Sequence, residues 1–349
     1  MKDILLIKLG ALGDVVRTTC LLRPLKRKYP RSRIWWATAK EALPLLRNQP
    51  DLYRILPIQK QPPEILRQRR FFLLVNMDED PSACGWARRI PAQRVIGATT
   101  DPSGKLLYTP DSAPYFSLGL LNRDSDGSLR TADALKRKNK KTYQEIWVEI
   151  LGLDRRNYPR DYEPSLPLPP SEMRFAQRFF STRDSSRVWV GLNPGAGPRW
   201  PSKQISVSKT VELVHALHRE GFSPVLFGGP AEKKRNQEIL TRARGMVLDA
   251  RTHHPLLRFA ALLSRLRALI TTDSLALHLG CAMKVPCVVL FGPTSAVEIE
   301  LYGRGAKLQP PKPCRCFYQS RCQASRHCLD TLKTSKIAAA VEKLLESPR

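Results

Sequence analysis

The chain opens with Ile4-Leu5-Leu6-Ile7, followed by Lys8-Leu9-Gly10-Ala11-Leu12-Gly13-Asp14. Four consecutive apolar residues indicate a buried strand, and the glycines behind them indicate a tight turn. Apolar residues then recur at helical spacing as far as Leu25. Strand, glycine turn and helix in this order predict the start of an α/β domain with a mainly parallel sheet.

The same order of elements recurs along the chain. Further strands of the first half are predicted at Ile34–Ala37, Ile55–Ile58, Phe71–Asn76 and Arg94–Gly97. The pattern restarts after a proline-rich stretch, with a strand at Arg187–Leu192 that runs into Asn193–Gly197. The sequence therefore predicts an α/β fold of two Rossmann-like domains that face each other across a cleft.

A length of 349 residues suits two domains. Five prolines between Tyr158 and Pro170 mark the predicted boundary. The predicted parts are a first domain at 1–158, a linker at 159–171, a second domain at 172–334, and a helix at 335–349 that packs back on the first domain.

The chain is strongly basic, with a formal net charge of +27. Such a charge attracts polyanions, whether nucleic acid, anionic lipid or phosphorylated glycan, and it also occurs in ordinary soluble enzymes. The first apolar run is too short for a signal peptide, and no run reaches the roughly 18–20 residues of a membrane span. We therefore expect a cytoplasmic protein, with peripheral contact to the inner membrane as an open alternative.

Four glycine-containing turns follow predicted strands, at 10–14, 193–197, 228–230 and 292–294. Glycine lets backbone N–H groups approach a phosphate, and a following helix N-terminus favours its negative charge. Neither the G-x-G-x-x-G fingerprint of dinucleotide-binding proteins nor the phosphate loop of NTPases is present. A nicotinamide dehydrogenase or a P-loop NTPase is therefore disfavoured.

Four stretches together resemble glycosyltransferase family 9, the ADP-heptose:lipopolysaccharide heptosyltransferases. They are Ile7–Val15, Gly191–Lys203, Thr272–Leu279 and Leu290–Thr294. The resemblance implies an acceptor-binding first domain, a nucleotide-sugar-binding second domain, and inversion at the anomeric carbon without a catalytic metal. Asp14 falls where this family has its general base. From position alone, the capping of a helix N-terminus is the favoured role of Asp14, whereas the family motif favours the general base.

The resemblance also implies a donor site in the second domain. Its residues are Asn193, Gly195, Ala196, Arg199, Lys203, Glu232, Asp273, Ser274 and His278. Lys203 matches the family's phosphate-binding lysine, although Ile205 and Ser206 stand where that motif has Trp and Pro. Leu275 stands where the family usually has Gly, which leaves the identity of the donor open. Alternative roles are surface charge for Lys203 and Arg199, helix-start charge for Glu232 and core packing for His278.

Acceptor contacts are expected from the first domain. The residues predicted for this role are Lys8, Gly13, Arg17, Lys138 and Lys141. The last two belong to the basic run Lys136–Lys141, which would suit an anionic glycolipid or glycan. A solvated loop is the usual explanation of a single charged run.

Four cysteines are clustered near the C-terminus, at Cys314, Cys316, Cys322 and Cys328. In a reducing compartment such a cluster favours a structural zinc or iron ion over disulfides, although the spacing is not that of a standard C-x2-C pair. Free or transiently oxidised thiols are the alternative. No cofactor is expected for catalysis.

The sequence thus predicts transfer of heptose, or a related sugar, from a nucleotide diphosphate sugar to a lipopolysaccharide core or similar surface glycan. ADP-heptose is the expected donor because the resemblance implies it. One alternative is a family member with another donor or a protein acceptor. A second is a non-catalytic polyanion- or nucleic-acid-binding protein, although no nucleic-acid-binding motif is present and no nucleic acid partner is expected.

Overall fold

The computed structural model describes residues 1–155, 159–181 and 186–346. The chain forms two compact α/β units. The first comprises Met1–Pro167 with Val297–Glu300, and the second comprises Leu168–Ala296 with Leu301–Arg349.

The first unit is built on one six-stranded sheet, in the order β3-β2-β1-β4-β5-β6. All neighbouring strands are parallel except β5 and β6. Its strands are β1 (Lys2–Ile7), β2 (Ser32–Thr38), β3 (Leu52–Pro57), β4 (Leu73–Asn76), β5 (Val95–Thr100) and β6 (Leu106–Tyr108). Its helices are α1 (Leu12–Thr18), α2 (Leu22–Lys28), α3 (Leu43–Leu46), α4 (Glu64–Arg67), α5 (Pro81–Arg89), α6 (Ala113–Phe116), α7 (Arg130–Lys138) and α8 (Tyr143–Ile150).

The second unit has a fully parallel sheet, in the order β12-β11-β10-β7-β8-β9. Its strands are β7 (Trp189–Asn193), β8 (Ser223–Leu226), β9 (Leu248–Asp249), β10 (Ala268–Thr272), β11 (Cys287–Leu290) and β12 (Gly305–Leu308). Its helices are α9 (Pro170–Ser181), α10 (Val207–Arg219), α11 (Lys233–Arg242), α12 (Leu256–Leu263), α13 (Leu275–Ala282) and α14 (Thr334–Glu346).

Each sheet has a point at which the strand order reverses. In the first unit β1 lies between β2 and β4, and in the second β7 lies between β8 and β10. Loops that leave neighbouring strands in opposite directions at such a point open a crevice beyond the strand ends, where ligands of open α/β sheets bind. We therefore expect ligand-binding residues in the loops after β1 and β4, and in those after β7 and β10.

The central strands are buried on both faces, as parallel strands covered by helices must be. Ile4 to Ile7 of β1 have no exposed surface. One core cluster packs Leu5 and Ile7 against Trp35 and Trp86. The continuous apolar runs of the sequence thus predict β1 and its partner strands correctly.

The stretch predicted as a linker at 159–171 is divided in the structure. As far as Pro167 it belongs to the first unit, where the N–H of Ser165 donates to Oγ1 of Thr19 at 2.9 Å. Pro170 already begins α9. Tyr158, the predicted end of the first domain, lies outside the described residues.

The final helix belongs to the second unit, and its predicted packing on the first stays a prediction. Its apolar face accounts for its place in the second unit: Ile337 and Val341 are fully buried in the core that also contains Leu213 and Leu217 of α10. Residues 347–349 of the predicted helix lie outside the described part of the chain. Among the described residues, no helix combines the length and the apolarity that a membrane crossing requires.

Asp3, at the start of β1, is the centre of a buried ionic cluster. Its carboxylate accepts hydrogen bonds from Arg33 and Arg69, each at 2.7 Å, and from the indole of Trp35 at 3.0 Å. Burial alone would raise the pKa of Asp3, but these bonds lower it from 3.8 to about 2. The ionised carboxylate therefore stabilises the fold above pH 4, and this contribution is lost as the pH falls from about 4 to about 2.

We expect Asp3→Asn to lower the free energy of unfolding at pH 7 by about 2 kcal/mol, because the linked pKa shift is lost and two arginines lose their partner. The difference from wild type should shrink as the pH falls from 4 towards 2. Urea unfolding over this pH range measures it, with the exposed Glu41→Gln as control. A difference that does not change with pH would show that the ionised state of Asp3 contributes nothing.

Candidate functional site

Asp14 lies in the first turn of α1, just after the loop that leaves β1. One carboxylate oxygen accepts the N–H of Ala11 at 3.2 Å, and the other lies 3.0 Å from the guanidinium of Arg17. The helix cap position is occupied by Ala11, so Asp14 is not the N-cap residue. Its side chain is 30% exposed. Asp14 thus presents an oriented, accessible carboxylate at a helix N-terminus.

Lys8 is buried in an ion pair. Its side chain is 3% exposed, and Nζ lies 2.8 Å from Oδ1 of Asp78. Burial alone would lower the pKa of Lys8, but the charge of Asp78, with a smaller contribution from Asp14, raises it above its ordinary value. The charge of Lys8 therefore supports the loop that carries Asp14, and its contact with the acceptor stays a prediction.

Asp78 is a residue that the sequence analysis did not identify. It follows β4, the neighbour of β1, and its second carboxylate oxygen accepts the N–H of Leu9. Asp78 thereby links the loop after β4 to the loop after β1, at the point where the strand order of the sheet reverses. The signal was a carboxylate just behind the apolar run Leu73–Asn76, but its meaning depends on knowing that β4 pairs with β1.

Arg17 lies against the ring of Tyr143, with 3.9 Å between the guanidinium carbon and the ring centroid. Both residues line a cavity of about 120 Å³, together with Tyr115, Glu79 and Glu298. Burial raises the pKa of Glu79, although the hydroxyl of Tyr108 donates to it and partly offsets the rise. Arg17 thus connects the Asp14 carboxylate to a small pocket with aromatic and acidic walls.

The other predicted acceptor residues have different surroundings. Gly13 is buried within α1, where its backbone forms part of the first turn. Lys138 and Lys141 are both exposed, and Lys141 pairs with Glu149 at 2.6 Å. Lys136, which begins the same basic run, is buried against Asp133. The run is therefore only partly a free cationic surface.

In the second unit, Lys203 and Asp273 meet at the crevice beside β7 and β10. Lys203 lies in a short 3-10 turn after β7, and Asp273 directly follows β10. Their side chains form an ion pair of 2.7 Å, with both about one-sixth exposed. Nε2 of His278 lies 3.9 Å from the other oxygen of Asp273, and Ser274 caps α13 at the same edge. The structure thus brings together four residues predicted for the donor site.

Glu232 joins two of the glycine loops. One carboxylate oxygen accepts the N–H of Gly197 at 3.0 Å, and the other accepts the N–H of Gly229 at 2.9 Å. Gly195 packs so tightly on Glu232 that an added Cβ would lie 2.4 Å from its Cγ. Side-chain NH₂ of Asn193 donates to the carbonyl of Gly195 at 3.0 Å. These bonds therefore hold the two glycine loops in fixed positions, and the glycines leave room for close approach to their backbone.

Two predicted donor residues make no such contact among the described residues. Ala196 is half-buried in the glycine loop, and Arg199 is exposed beyond it. Each therefore remains a predicted donor contact.

The structure does not support the predicted structural zinc or iron site at the clustered cysteines. Among the described residues, no group of three or more His, Cys, Asp or Glu side chains could hold a metal ion. The sulfurs of Cys316 and Cys322 lie 3.6 Å apart, and Cys328 interacts with Cys314 and Cys322. Burial raises the pKa of Cys322 and raises that of Cys328 to about 12. None of these four cysteines forms a disulfide.

Comparison with known proteins identifies the family to which the chain belongs. The family described as "Glycosyltransferase family 9 (heptosyltransferase)" matches residues 128–323. Lipopolysaccharide heptosyltransferase 2 of Salmonella typhimurium is 25% identical over 315 residues, which are 84% of this chain and 83% of that protein.

Solved structures show the same fold. A glycosyltransferase family 9 protein from Veillonella parvula has a TM-score of 0.75 at 19% identity, covering 99% of this chain and 97% of that one. The ADP-heptose lipopolysaccharide heptosyltransferase II of E. coli has a TM-score of 0.65 at 20% identity, covering 99% and 98%. The predicted two-domain α/β fold is therefore confirmed as that of GT-B glycosyltransferases.

Proposed function

Because the chain belongs to glycosyltransferase family 9 and is a glycosyltransferase, we propose that it is an inverting, metal-independent heptosyltransferase. Its proposed donor is ADP-heptose, and its proposed acceptor is a lipopolysaccharide core or a similar surface glycan. Family membership sets aside the non-catalytic nucleic-acid-binding alternative.

The observation that carries the proposal is the group formed by Lys203, Asp273 and the loops tied by Glu232. A nucleotide diphosphate needs a cation, which Lys203 provides, and Glu232 holds the two glycine loops of the same unit in place through the N–H groups of Gly197 and Gly229. The similarity to lipopolysaccharide heptosyltransferases supports heptose as the sugar and lipopolysaccharide as the acceptor. The net charge of +27 suits an acceptor at the cytoplasmic face of an anionic inner membrane.

In the proposed reaction, Asp14 takes the proton from an acceptor hydroxyl while its oxygen bonds to the anomeric carbon. The bond between that carbon and the diphosphate oxygen breaks on the opposite face, so the configuration inverts. Lys203 and the N–H groups of the glycine loops stabilise the charge that develops on the departing diphosphate. Arg17 holds the carboxylate of Asp14 towards the acceptor.

Two measurements test the proposal. Isothermal titration with ADP, UDP and GDP should show binding of ADP with clear preference over the other two. A transfer assay with ADP-heptose and lipopolysaccharide isolated from a heptose-deficient bacterium should yield one added heptose. Preference for UDP or GDP would favour the alternative of another donor, to which Leu275 already points. No binding of any nucleotide diphosphate would contradict the proposal.

A further inference from the structure

Ser202 is held at all three of its polar groups by one segment of the chain. Its N–H donates to the carbonyl of Ser320 at 3.0 Å, and its hydroxyl donates to the carbonyl of Gln319 at 2.6 Å. The carbonyl of Ser202 accepts Nε2–H of His327 at 2.9 Å. Ser202 is 2% exposed. A residue fixed at every polar group, away from water, has a single orientation.

Two of these three contacts, those of Gln319 and Ser320, come from a short loop between two cysteines, and His327 lies beyond the end of that loop. We call Cys316–Cys322 the thiol loop, because the sulfurs of its two ends lie 3.6 Å apart. The N–H of Gln323 donates to the sulfur of Cys316 at 3.2 Å, which closes the base of the loop. The N–H of Tyr318 donates to the carbonyl of Pro293 at 2.7 Å and ties the loop to the turn after β11. The two carbonyls that hold Ser202 thus belong to a loop that is itself anchored.

Ser202 immediately precedes Lys203 in a 3-10 turn of three residues, Pro201–Lys203. So short a turn is weakly held by its own hydrogen bonds, and a lysine side chain loses considerable rotational freedom when it is fixed. The ammonium of Lys203 nevertheless has a defined place, 2.7 Å from Asp273 and 4.8 Å from the ring centroid of Trp200. The ring of Trp200 in turn contacts Tyr318 of the thiol loop, with the centroids 6.4 Å apart.

We propose that the thiol loop and His327, both acting through Ser202, position Lys203 to receive the diphosphate of the donor. The inference rests on the proposed function of Lys203 and assigns a role to the cysteine segment that catalysis does not use. Ser202 and His327 are positioning residues, because the bonds described above fix the turn that carries Lys203. Their effect should therefore reach the ligand only through Lys203.

The experiment is a double-mutant cycle on ADP binding, measured by isothermal titration on the full chain. Ser202→Ala removes one buried hydrogen bond and leaves the carbonyl of Gln319 without a partner, so we expect about tenfold weaker binding of ADP. In the Lys203→Ala background, the same change should have no further effect. Exposed Ser208→Ala is the matched control and should bind ADP like wild type. His327→Phe and the pair Cys316→Ala with Cys322→Ala should weaken ADP binding in the same direction.

The outcomes separate this inference from the function on which it rests. If Lys203→Ala weakens ADP binding but Ser202→Ala and His327→Phe do not, the positioning role is wrong and the proposed function stands. If Ser202→Ala weakens binding equally with and without Lys203, the residue stabilises the unit generally and the inference fails. If Lys203→Ala binds ADP normally, the proposed donor site itself fails. A KM for the acceptor that stays unchanged in Ser202→Ala, with a raised KM for the donor, supports the inference.

Discussion

Asp14→Asn is expected to lower the rate of sugar transfer by a factor of about 10²–10⁴, the usual contribution of a positioned general base. The amide has the shape of the carboxylate and retains an oxygen that can accept the N–H of Ala11. It cannot take the proton of the acceptor hydroxyl. Because the donor residues belong to the second unit, the affinity for ADP should stay within about twofold of wild type. Single-turnover rates and isothermal titration measure the two quantities.

The control for this variant is Asp126→Asn, which removes an exposed carboxylate of the same unit that pairs with Arg130 and accepts the N–H of Ser128 at the surface. It should transfer sugar at the wild-type rate. Transfer by Asp14→Asn within threefold of wild type would contradict the role of Asp14 as base. In that case the carboxylate would serve only to hold the start of α1 and the guanidinium of Arg17.

Lys203→Ala should weaken the binding of ADP by about 100-fold. Loss of a charge-assisted hydrogen bond is worth roughly 1.5–3 kcal/mol, or about ten- to 150-fold. The change also leaves Asp273 without the partner at 2.7 Å, so its carboxylate would repel the diphosphate. We expect the fall in transfer rate at low donor concentration to follow the fall in affinity. Titration with ADP gives the first value, and initial rates with the sugar nucleotide give the second.

A second change distinguishes the two causes. Adding Asp273→Asn to Lys203→Ala should restore part of the ADP affinity, because it removes the repelling charge without restoring the cation. The exposed Lys234→Ala, in the same unit, controls for a general loss of positive charge. Equal binding of ADP by wild type and Lys203→Ala would show that the diphosphate binds elsewhere. No recovery in the double variant would show that Asp273 acts on the ligand in another way.

Much of the fold could be predicted from local pattern. The apolar runs of β1 and β7 are buried on both faces, and a glycine turn follows each of them. Such runs are the most direct sign of central parallel strands. Short strands were missed: β6 has three residues, β9 has two, and the pattern of β12 is only partly apolar. They form because a neighbouring strand offers a free edge, which is information that their own residues do not contain.

The site was predictable where a residue belongs to a motif and less so where its role depends on strand order. Lys203 and Asp273 were both identified, yet their ion pair follows from the adjacency of β7 and β10. Asp78 was missed for the same reason. The family resemblance assigned Lys8 to the acceptor, and only the structure shows that Asp78 permits its burial. A metal site was predicted at the cysteines because their spacing along the chain does not show whether four thiolates converge on one point or form two thiol pairs.

The pairing of Lys203 with Asp273 means that, in the proposed donor site, a diphosphate competes with a carboxylate for the ammonium of Lys203. Nε2 of His278 lies 3.9 Å from the same carboxylate. A monovalent anion such as chloride competes poorly with a carboxylate already held at 2.7 Å, whereas a diphosphate brings more charge and more acceptor oxygens. In the proposed site, the ion pair thus reduces the binding of small cellular anions to Lys203. An increase in salt concentration should therefore weaken ADP binding less than it would in a site whose lysine had no carboxylate partner.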